Sequence, residues 1–352
     1  MAPLQVMTNQ RVRSFGQTKR STPEVPRPSA SVLLISPSNQ VLLLHRVQTS
    51  SSFPSAHVFP GGNLSTYHEE HVPQPDDPAR HQDSDGYRRA AIRETFEESG
   101  ILLATGRDGR LLEIDETERE RARKLVHTNK LNFREWVAEK GGRPDIDGLV
   151  PFTRWITPTY VRKRFTTQMY VYFLPVSPPR ASSSGSLPTN AEAVIPLPSP
   201  DGGVEHTAAR FLPAADWLAQ ARHNEIILFP PQFFLLHLVA PFLAQLEEDD
   251  GKHASELERR RRQLHDFITT GDPPWGEKVI CPEVIIGKRR SDGRTVLALD
   301  KPGWELRGSG RRGDLDWAVL VKFRKEGPRH VEVAKKKDIL DEERIASARE
   351  RL

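Results

Sequence analysis

The segment at residues 93–101, Arg-Glu-Thr-Phe-Glu-Glu-Ser-Gly-Ile, places three glutamates at neighbouring helical positions. Residues three and four apart are adjacent on a helix, so the carboxylates of Glu94, Glu97 and Glu98 lie on one side. Three like charges at that spacing repel one another. The segment is therefore either a solvated acidic patch, in which Arg93 pairs with Glu97, or a site for a hard divalent cation held by several oxygens.

The sequence before this segment predicts the framework that holds it. Two apolar runs, at residues 30–35 and 41–45, predict a β-hairpin. A third short strand is expected to contain residues 57–59, and the Pro-Gly-Gly at residues 60–62 must then end the pairing and lets the backbone turn sharply. The apolar spacing then becomes helical over about residues 87–99, with Gly100 as the stop. This order predicts that a glycine turn and an acidic helix meet beside a sheet.

Together these pieces resemble the Nudix hydrolase signature, G-x5-E-x7-R-E-U-x-E-E-x-G-U, in which U is a bulky apolar residue. Residues 93–101 match every specified position except Thr95, which occupies an apolar position. The signature separates its first Gly from its Arg by about 14 positions. Here Gly62 and Arg93 are 93 − 62 = 31 positions apart, so about 17 residues are inserted and the first Glu of the signature cannot be assigned.

Further motifs resemble one branch of this superfamily, the peroxisomal coenzyme A diphosphatases of animals. The segments that carry this resemblance are residues 42–46, 52–62, 155–158, 164–167 and 230–233. The branch also has a long loop after Gly-Gly and a helical insertion. The resemblance covers about residues 30–245 and implies an α/β fold: a Nudix α/β/α sandwich with a mixed β-sheet between helices, loop and helical insertions, and a C-terminal extension.

The domain organisation follows from this resemblance and from composition. The predicted parts are a disordered leader over 1–28, a Nudix domain over 29–246 with insertions at 63–86, 107–148 and 177–203, a charged helical linker over 247–275, and a small β-rich C-terminal extension with a charged tail over 276–352. We expect the 63–86 insertion to be a polar surface loop. Residues 115–140 predict one helical stretch that ends at Gly-Gly.

The resemblance also implies an activity, the hydrolysis of a diphosphate linked to a nucleoside with Mg²⁺ or Mn²⁺ as cofactor. Arg93 is expected to hold Glu97 in its rotamer by a charge-assisted hydrogen bond. The expected metal ligands are three carboxylates and one backbone carbonyl, from Glu94, Glu97, Glu98 and either Gly61 or Gly62. Arg93 and the three glutamates are thus the predicted catalytic set.

Groups outside the helix should complete the site. Glu205, in Gly-Val-Glu-His, is the candidate general base, with an ordinary surface carboxylate as the alternative. Arg46 ends the second predicted strand near the glycine turn, and Arg164 lies in a motif that resembles the branch. We predict that Arg46, Arg164 and the Gly61–Gly62 turn bind the anionic substrate.

Three functions remain open at this point. The leading hypothesis is hydrolysis of coenzyme A or acyl-coenzyme A to adenosine 3′,5′-bisphosphate and (acyl-)4′-phosphopantetheine. The second is a Nudix diphosphatase acting on ADP-ribose, dinucleotides, nucleotide sugars or capped RNA. The third is a Nudix fold that binds without catalysis, and the intact set of carboxylates argues against it.

Composition limits the classes of binding partner that we expect for this chain. The 51 Lys and Arg against 47 Asp and Glu give a net charge of +4, so nucleic acid is not expected and an anionic small molecule fits as well. One cysteine, Cys281, excludes an intramolecular disulfide. We expect no membrane span, because prolines interrupt the most apolar segment, residues 226–246.

The C-terminal Glu-Arg-Leu partly matches a Ser-Lys-Leu signal, so peroxisome is the leading compartment, with cytosol and mitochondrion as alternatives. The oligomeric state stays open.

Overall fold

A computed structural model of the chain describes residues 23–49, 55–176, 206–244, 253–285, 290 and 292–349. Several predictions concern residues outside these ranges: most of the leader, the insertion at 177–203, Glu205 and the C-terminal tripeptide. No helix among the described residues is long and apolar enough to cross a bilayer.

The described part of the chain forms strands and helices in a mixed order. The strands are β1 (Arg27–Ile35), β2 (Val41–Arg46), β3 (His57–Val58), β4 (Gly61–Asn63), β5 (Ala104–Gly106), β6 (Gly142–Pro144), β7 (Val150–Ile156), β8 (Phe165–Phe173), β9 (His206–Leu212), β10 (Val279–Ile280), β11 (Glu283–Val284), β12 (Thr295–Ala298), β13 (Trp317–Arg324) and β14 (Gly327–Lys335). The helices are α1 (Asp85–Ser99), α2 (Glu116–His127), α3 (Phe133–Glu139), α4 (Ala214–Arg222), α5 (Pro230–Val239), α6 (His253–Thr269) and α7 (Lys336–Arg349).

A mixed sheet forms the centre of the molecule. Its main order is β10-β7-β8-β1-β2-β3, with β4 paired to β1 and β9 paired to β2. The β1–β8 and β10–β7 pairs are parallel, and the other pairs are antiparallel. The predicted hairpin is confirmed, because β1 and β2 pair antiparallel with Ile35 opposite Val41.

Helices cover both faces of this sheet. Along β1, Val32 and Leu34 pack into the apolar cluster that contains α1, α2 and α3, whereas Leu33 and Ile35 pack into the cluster that contains α4, α5 and α6. A strand covered on both faces has no solvated side, which explains the apolar run at residues 32–35. The predicted α/β sandwich with a mixed sheet is therefore confirmed.

Helix α1 is close to the predicted helix at 87–99. It ends at Gly100, which has a left-handed φ of 75° and whose N–H donates to the carbonyl of Phe96. Glycine adopts this conformation without a Cβ penalty. Phe96 packs against Phe133 and Trp136 of α3, with ring centroids 5.6 and 5.1 Å apart. The insertion thus packs directly on the acidic helix.

Both insertions in the described part differ from the sequence prediction. Residues 115–140 form two helices rather than one, because Asn132 caps α3 by accepting hydrogen bonds from the N–H groups of the two residues that follow Phe133. The 63–86 segment is not a simple surface loop. Glu69 is only 2% exposed and Arg80 is buried, so this loop packs into the interior and takes charged groups with it.

Helix α6, predicted as part of a charged linker, packs against the sheet domain. Arg261 is buried and donates to Asn39 Oδ1 and to the carbonyls of Ser36 and Leu174 at 2.8, 2.6 and 2.7 Å. Leu264, one turn further along, joins the main core. The basic run of this helix is therefore not wholly a solvated face.

The C-terminal unit shares the core of the sheet domain. Strand β10 extends the main sheet beside β7, and the four-stranded sheet β11-β12-β13-β14 buries Val319 and Val331 in the same cluster as α4 and α5. The two units are joined by a buried ion pair as well. Arg164 Nη1 lies 2.5 Å from Glu305 Oε1, with side-chain exposures of 1% and 13%.

We predict that Glu305→Ala lowers the free energy of unfolding by about 3–5 kcal/mol, because the Arg164 guanidinium stays buried without its counter-charge. The matched control is Glu332→Ala, which removes a carboxylate paired with Arg294 at a more exposed site. That change should cost less than about 1 kcal/mol. Chemical denaturation of the full chain measures both values, and equal shifts would contradict the prediction.

Candidate active site

The acidic helix and the glycine turn meet as the sequence predicted. The prediction that pairing ends at the glycines is wrong, because both lie in β4, which pairs with β1 and places Gly61 and Gly62 against α1. The Gly61 N–H donates to Glu98 Oε2 at 2.8 Å. A Cβ on Gly62 would overlap the carboxylate of Glu94, so only glycine leaves room for that side chain.

Arg93 lies at the centre of the cluster. Its Nε is 2.8 Å from Glu69 Oε1, and its Nη1 is 2.6 Å from Glu97 Oε1 and 2.9 Å from Glu94 Oε1. Its Nη2 donates to the carbonyl of Asn63 at 2.9 Å. The side chain is 4% exposed. The predicted contact between Arg93 and Glu97 is therefore present but buried, and the solvated-patch interpretation does not describe it.

Glu69 also belongs to this buried cluster, and no sequence pattern pointed to it. It lies 7 residues after Gly62 and 93 − 69 = 24 residues before Arg93, so most of the insertion follows it. Because this spacing differs from that of the signature, Glu69 could not be told apart from the other residues of the predicted polar loop. In the structure it accepts hydrogen bonds from Arg93 and from the N–H of Ser65. Burial raises the pKa of Glu69, although Arg93 opposes this shift.

The carboxylates differ in their electrostatic environment. Burial raises the pKa of Glu94 to about 7, with further repulsion from Glu97 and Glu69, while Arg93 opposes the shift. Burial acts in the same direction on Glu97, but hydrogen bonds from His127 and Arg93 outweigh it and lower the pKa of Glu97. The single guanidinium of Arg93 thus contacts more carboxylates than its charge can neutralise. A bound cation would reduce the repulsion between these carboxylates.

A cavity of about 240 Å³ opens beside this cluster. Arg93 and the three glutamates of α1 line one side. The other side comes from the two insertions: Asn63, Leu64, Ser65, His68, Val126, His127 and Asn129. The Glu94 side chain is the most exposed of the three at 15%, against 7% for Glu97 and 8% for Glu98. The side of the cavity that α1 forms is therefore strongly acidic.

The donor set suits a hard divalent cation in type and in charge, because carboxylate oxygens are the ligands that Mg²⁺ and Mn²⁺ prefer. Within the ranges that the structure describes, no group of three or more His, Cys, Asp or Glu side chains converges at ligand distance. Two of the carboxylates turn toward Arg93, and Glu98 accepts from the Gly61 N–H. Binding a cation would therefore require at least one of these side chains to turn further into the cavity.

Arg46 lies on the sheet face that α1 covers. The register between β2 and β9 slips at Thr207, so that His206 stands opposite Arg46. Bulges of this kind re-aim a side chain, and residues opposite each other across a pair project from the same face. His206 is fully buried, with Nε2 3.6 Å from Glu98 Oε1. The sequence analysis missed His206, although it follows the predicted base Glu205.

Arg164, predicted to bind substrate, has structural partners instead. Its Nε donates to the carbonyl of Thr157 at 3.0 Å, and its Nη1 donates to the carbonyl of Glu24 at 2.7 Å and pairs with Glu305. Within the described residues, neither Arg164 nor Arg46 lines the acidic cavity. Arg164 is therefore not part of the substrate site proposed below.

Known proteins resemble this chain over much of its length. The NUDT19 Nudix domain family matches residues 68–191. The acyl-coenzyme A diphosphatase NUDT19 of Xenopus laevis is 28% identical over 247 residues, which is 58% of this chain and 60% of that protein. The protein of the same name from Gallus gallus is 30% identical over 283 residues, which is 66% of this chain and 69% of that protein. The chain belongs to the Nudix hydrolases.

The Nudix resemblance drawn from residues 58–62 and 93–101 is thereby confirmed. The chain spans less than two thirds of the Xenopus laevis relative, at 60% of its length. Among solved structures, a Nudix hydrolase from Alicyclobacillus acidocaldarius aligns over 61% of this chain and 91% of its own, with 21% identity and a TM-score of 0.45.

The two glycines of the Nudix turn should respond differently to alanine. A Cβ on Gly61 would overlap the backbone of Ala30 and Ser31, so Gly61→Ala should destabilise the fold by at least about 1–3 kcal/mol. A Cβ on Gly62 meets only the end of the flexible Glu94 side chain. Gly62→Ala should therefore keep the fold while displacing that carboxylate. Thermal unfolding separates the two, and a larger loss for Gly62→Ala would contradict this reading of the turn.

Proposed function

We propose that this protein is a divalent-metal-dependent diphosphatase that cleaves coenzyme A or acyl-coenzyme A. The observation that carries the proposal is the buried cluster of Glu94, Glu97 and Glu98 around Arg93, open on one side to a cavity. Burying so many carboxylates is costly unless a cation joins them, and cleavage of a diphosphate needs positive charge at that place.

The chain's own residues would act as holders and positioners. Glu94, Glu97, Glu98 and a carbonyl of the Gly61–Gly62 turn would hold Mg²⁺ or Mn²⁺. The cation supplies charge neutralisation on the phosphate oxygens and activation of water. Arg93 donates to Glu97 and the Gly61 N–H donates to Glu98, so both carboxylates are held beside the cavity before a cation binds. Glu205 remains our candidate base and lies outside the described residues.

Coenzyme A chemistry is supported by the relatives, two of which are named acyl-coenzyme A diphosphatases. The cavity of about 240 Å³ is below the roughly 300–1,000 Å³ of sites that enclose a drug-sized ligand. It therefore suits the diphosphate, with the adenosine and pantetheine arms extending beyond it. Arg46, on the same face of the sheet, is our candidate for binding a substrate phosphate.

A metal-dependent screen tests the substrate. Purified full-length protein is incubated with Mg²⁺ or Mn²⁺ and with coenzyme A, an acyl-coenzyme A, ADP-ribose or a dinucleotide, and products are identified by mass. We expect adenosine 3′,5′-bisphosphate and the matching phosphopantetheine. Turnover of ADP-ribose with coenzyme A untouched would overturn the substrate but keep the diphosphatase. No turnover of any compound would favour a binding function.

Replacing one carboxylate tests the site. Glu98→Gln keeps the shape and the contact with the Gly61 N–H but removes the charge, so turnover should fall at least about 10²-fold with the fold retained. Asp85→Asn on the same helix is the matched control, because the Asp85 side chain is 64% exposed and pairs with Arg89 at the surface. Steady-state rates and thermal unfolding measure both variants. Equal rates for Glu98→Gln and wild type would remove Glu98 from the site.

The compartment stays a prediction from the sequence. A peroxisomal location is consistent with the coenzyme A substrate that we propose, and the C-terminal tripeptide on which it rests lies outside the described residues. Cytosol and mitochondrion stay as the alternatives.

A further inference from the structure

We propose that His127, at the end of the helical insertion, is a positioning residue that orients the Glu97 carboxylate for cation binding. The inference rests on the proposed function and deepens it, because it connects the insertion to the acidic cluster. His127 is not part of the signature helix, and the sequence analysis did not select it.

The contact itself is direct. His127 Nδ1 lies 3.2 Å from Glu97 Oε2, while Arg93 donates to the other oxygen, Oε1, at 2.6 Å. An ionised carboxylate can only accept hydrogen bonds, so His127 Nδ1 carries the hydrogen and donates it. Each oxygen of Glu97 therefore has its own donor. Two hydrogen-bond donors restrict the rotation of a carboxylate more than a single donor does.

The same helix also holds the backbone of Glu97. Arg123, which is 3% exposed, donates from Nε and Nη2 to the carbonyl of Glu97 at 3.2 and 3.0 Å. Its Nη1 donates to both oxygens of Glu120 at 3.0 Å, which fixes the guanidinium. Helix α2 thus contacts Glu97 at two points, the carbonyl through Arg123 and the carboxylate through His127.

A second histidine fixes the end of α2. His68 Nδ1 accepts from the N–H of Phe133 at 3.3 Å, so its Nε2 carries the hydrogen and donates to the carbonyl of Val126 at 3.2 Å. His68 is 4% exposed. It therefore joins the end of α2 to the start of α3, immediately beside His127. Asn132 Nδ2 adds a bond to the carbonyl of Tyr67 at 2.7 Å.

These bonds make the insertion a rigid support for the cluster. The Glu97 carboxylate has little freedom once Arg93 and His127 both donate to it, and its position decides where a cation can sit. Hydrogen bonds that orient a metal ligand typically change metal affinity or activity by about 10–100-fold when removed. His127 also lines the cavity, so the orienting group borders the space where substrate would bind.

The test compares two substitutions in the full-length protein. His127→Leu removes the donor and keeps an apolar side chain of similar bulk, whereas His127→Asn places an amide N–H near the position of Nδ1. Mn²⁺ affinity is measured by calorimetric titration with the metal alone. We expect His127→Leu to weaken Mn²⁺ binding about 10-fold or more, and His127→Asn to stay within about threefold of wild type. With coenzyme A, kcat should follow the same order at nearly constant KM.

His223→Leu is the matched control, because the His223 side chain is 73% exposed at the end of α4, away from the cavity lining. It should leave Mn²⁺ affinity unchanged. Wild-type affinity in His127→Leu would overturn the proposal, as would an equal loss in His127→Asn. Failure of wild type to cleave coenzyme A would overturn the proposed substrate alone, since the Mn²⁺ titration does not depend on turnover.

Discussion

The buried guanidinium of Arg93 is the interaction on which the site depends. Four carboxylates within one small region would repel one another, and none of the surrounding apolar core could offset that cost. Arg93 reduces it by contacting Glu69, Glu94 and Glu97 with a planar set of five N–H donors. A lysine offers one point of charge and could not bridge these groups in the same way. The remaining negative charge favours a cation over an anion at this place.

The sheet and the insertions contribute different halves of the site. The sheet brings Gly61 and Gly62 against α1, which requires only ordinary strand pairing and two residues without side chains. The insertions supply the opposite wall and, through Arg123 and His127, hold Glu97 from outside the helix. The residues of the Nudix signature thus lie on α1 and the sheet side, whereas the contacts to Glu97 from outside the signature come from the insertion side.

The elements predicted correctly from the sequence are those that depend on residues close together in the chain. The hairpin, the acidic helix and its stop at Gly100 follow from apolar spacing and glycine placement, and the structure contains all three. Glu69 could not be found, because its partner Arg93 is 24 residues away across a loop of changed length. Arg164 carries a motif-like sequence, but its role depends on Glu305, which no local pattern connects to it. Long-range charge pairing is the information that a single sequence lacks.

The pairing of Arg164 with Glu305 has a consequence for the order of folding. A ribosome releases the chain from the N-terminus, so the strand that follows Arg164 is available long before its counter-ion, 305 − 164 = 141 residues later. Strand β10, which completes one edge of the main sheet, also arrives late. Until then the Arg164 guanidinium can donate to the carbonyls of Thr157 and Glu24 but lacks this counter-charge. The final closing of that sheet edge becomes a step that follows synthesis of the C-terminal unit.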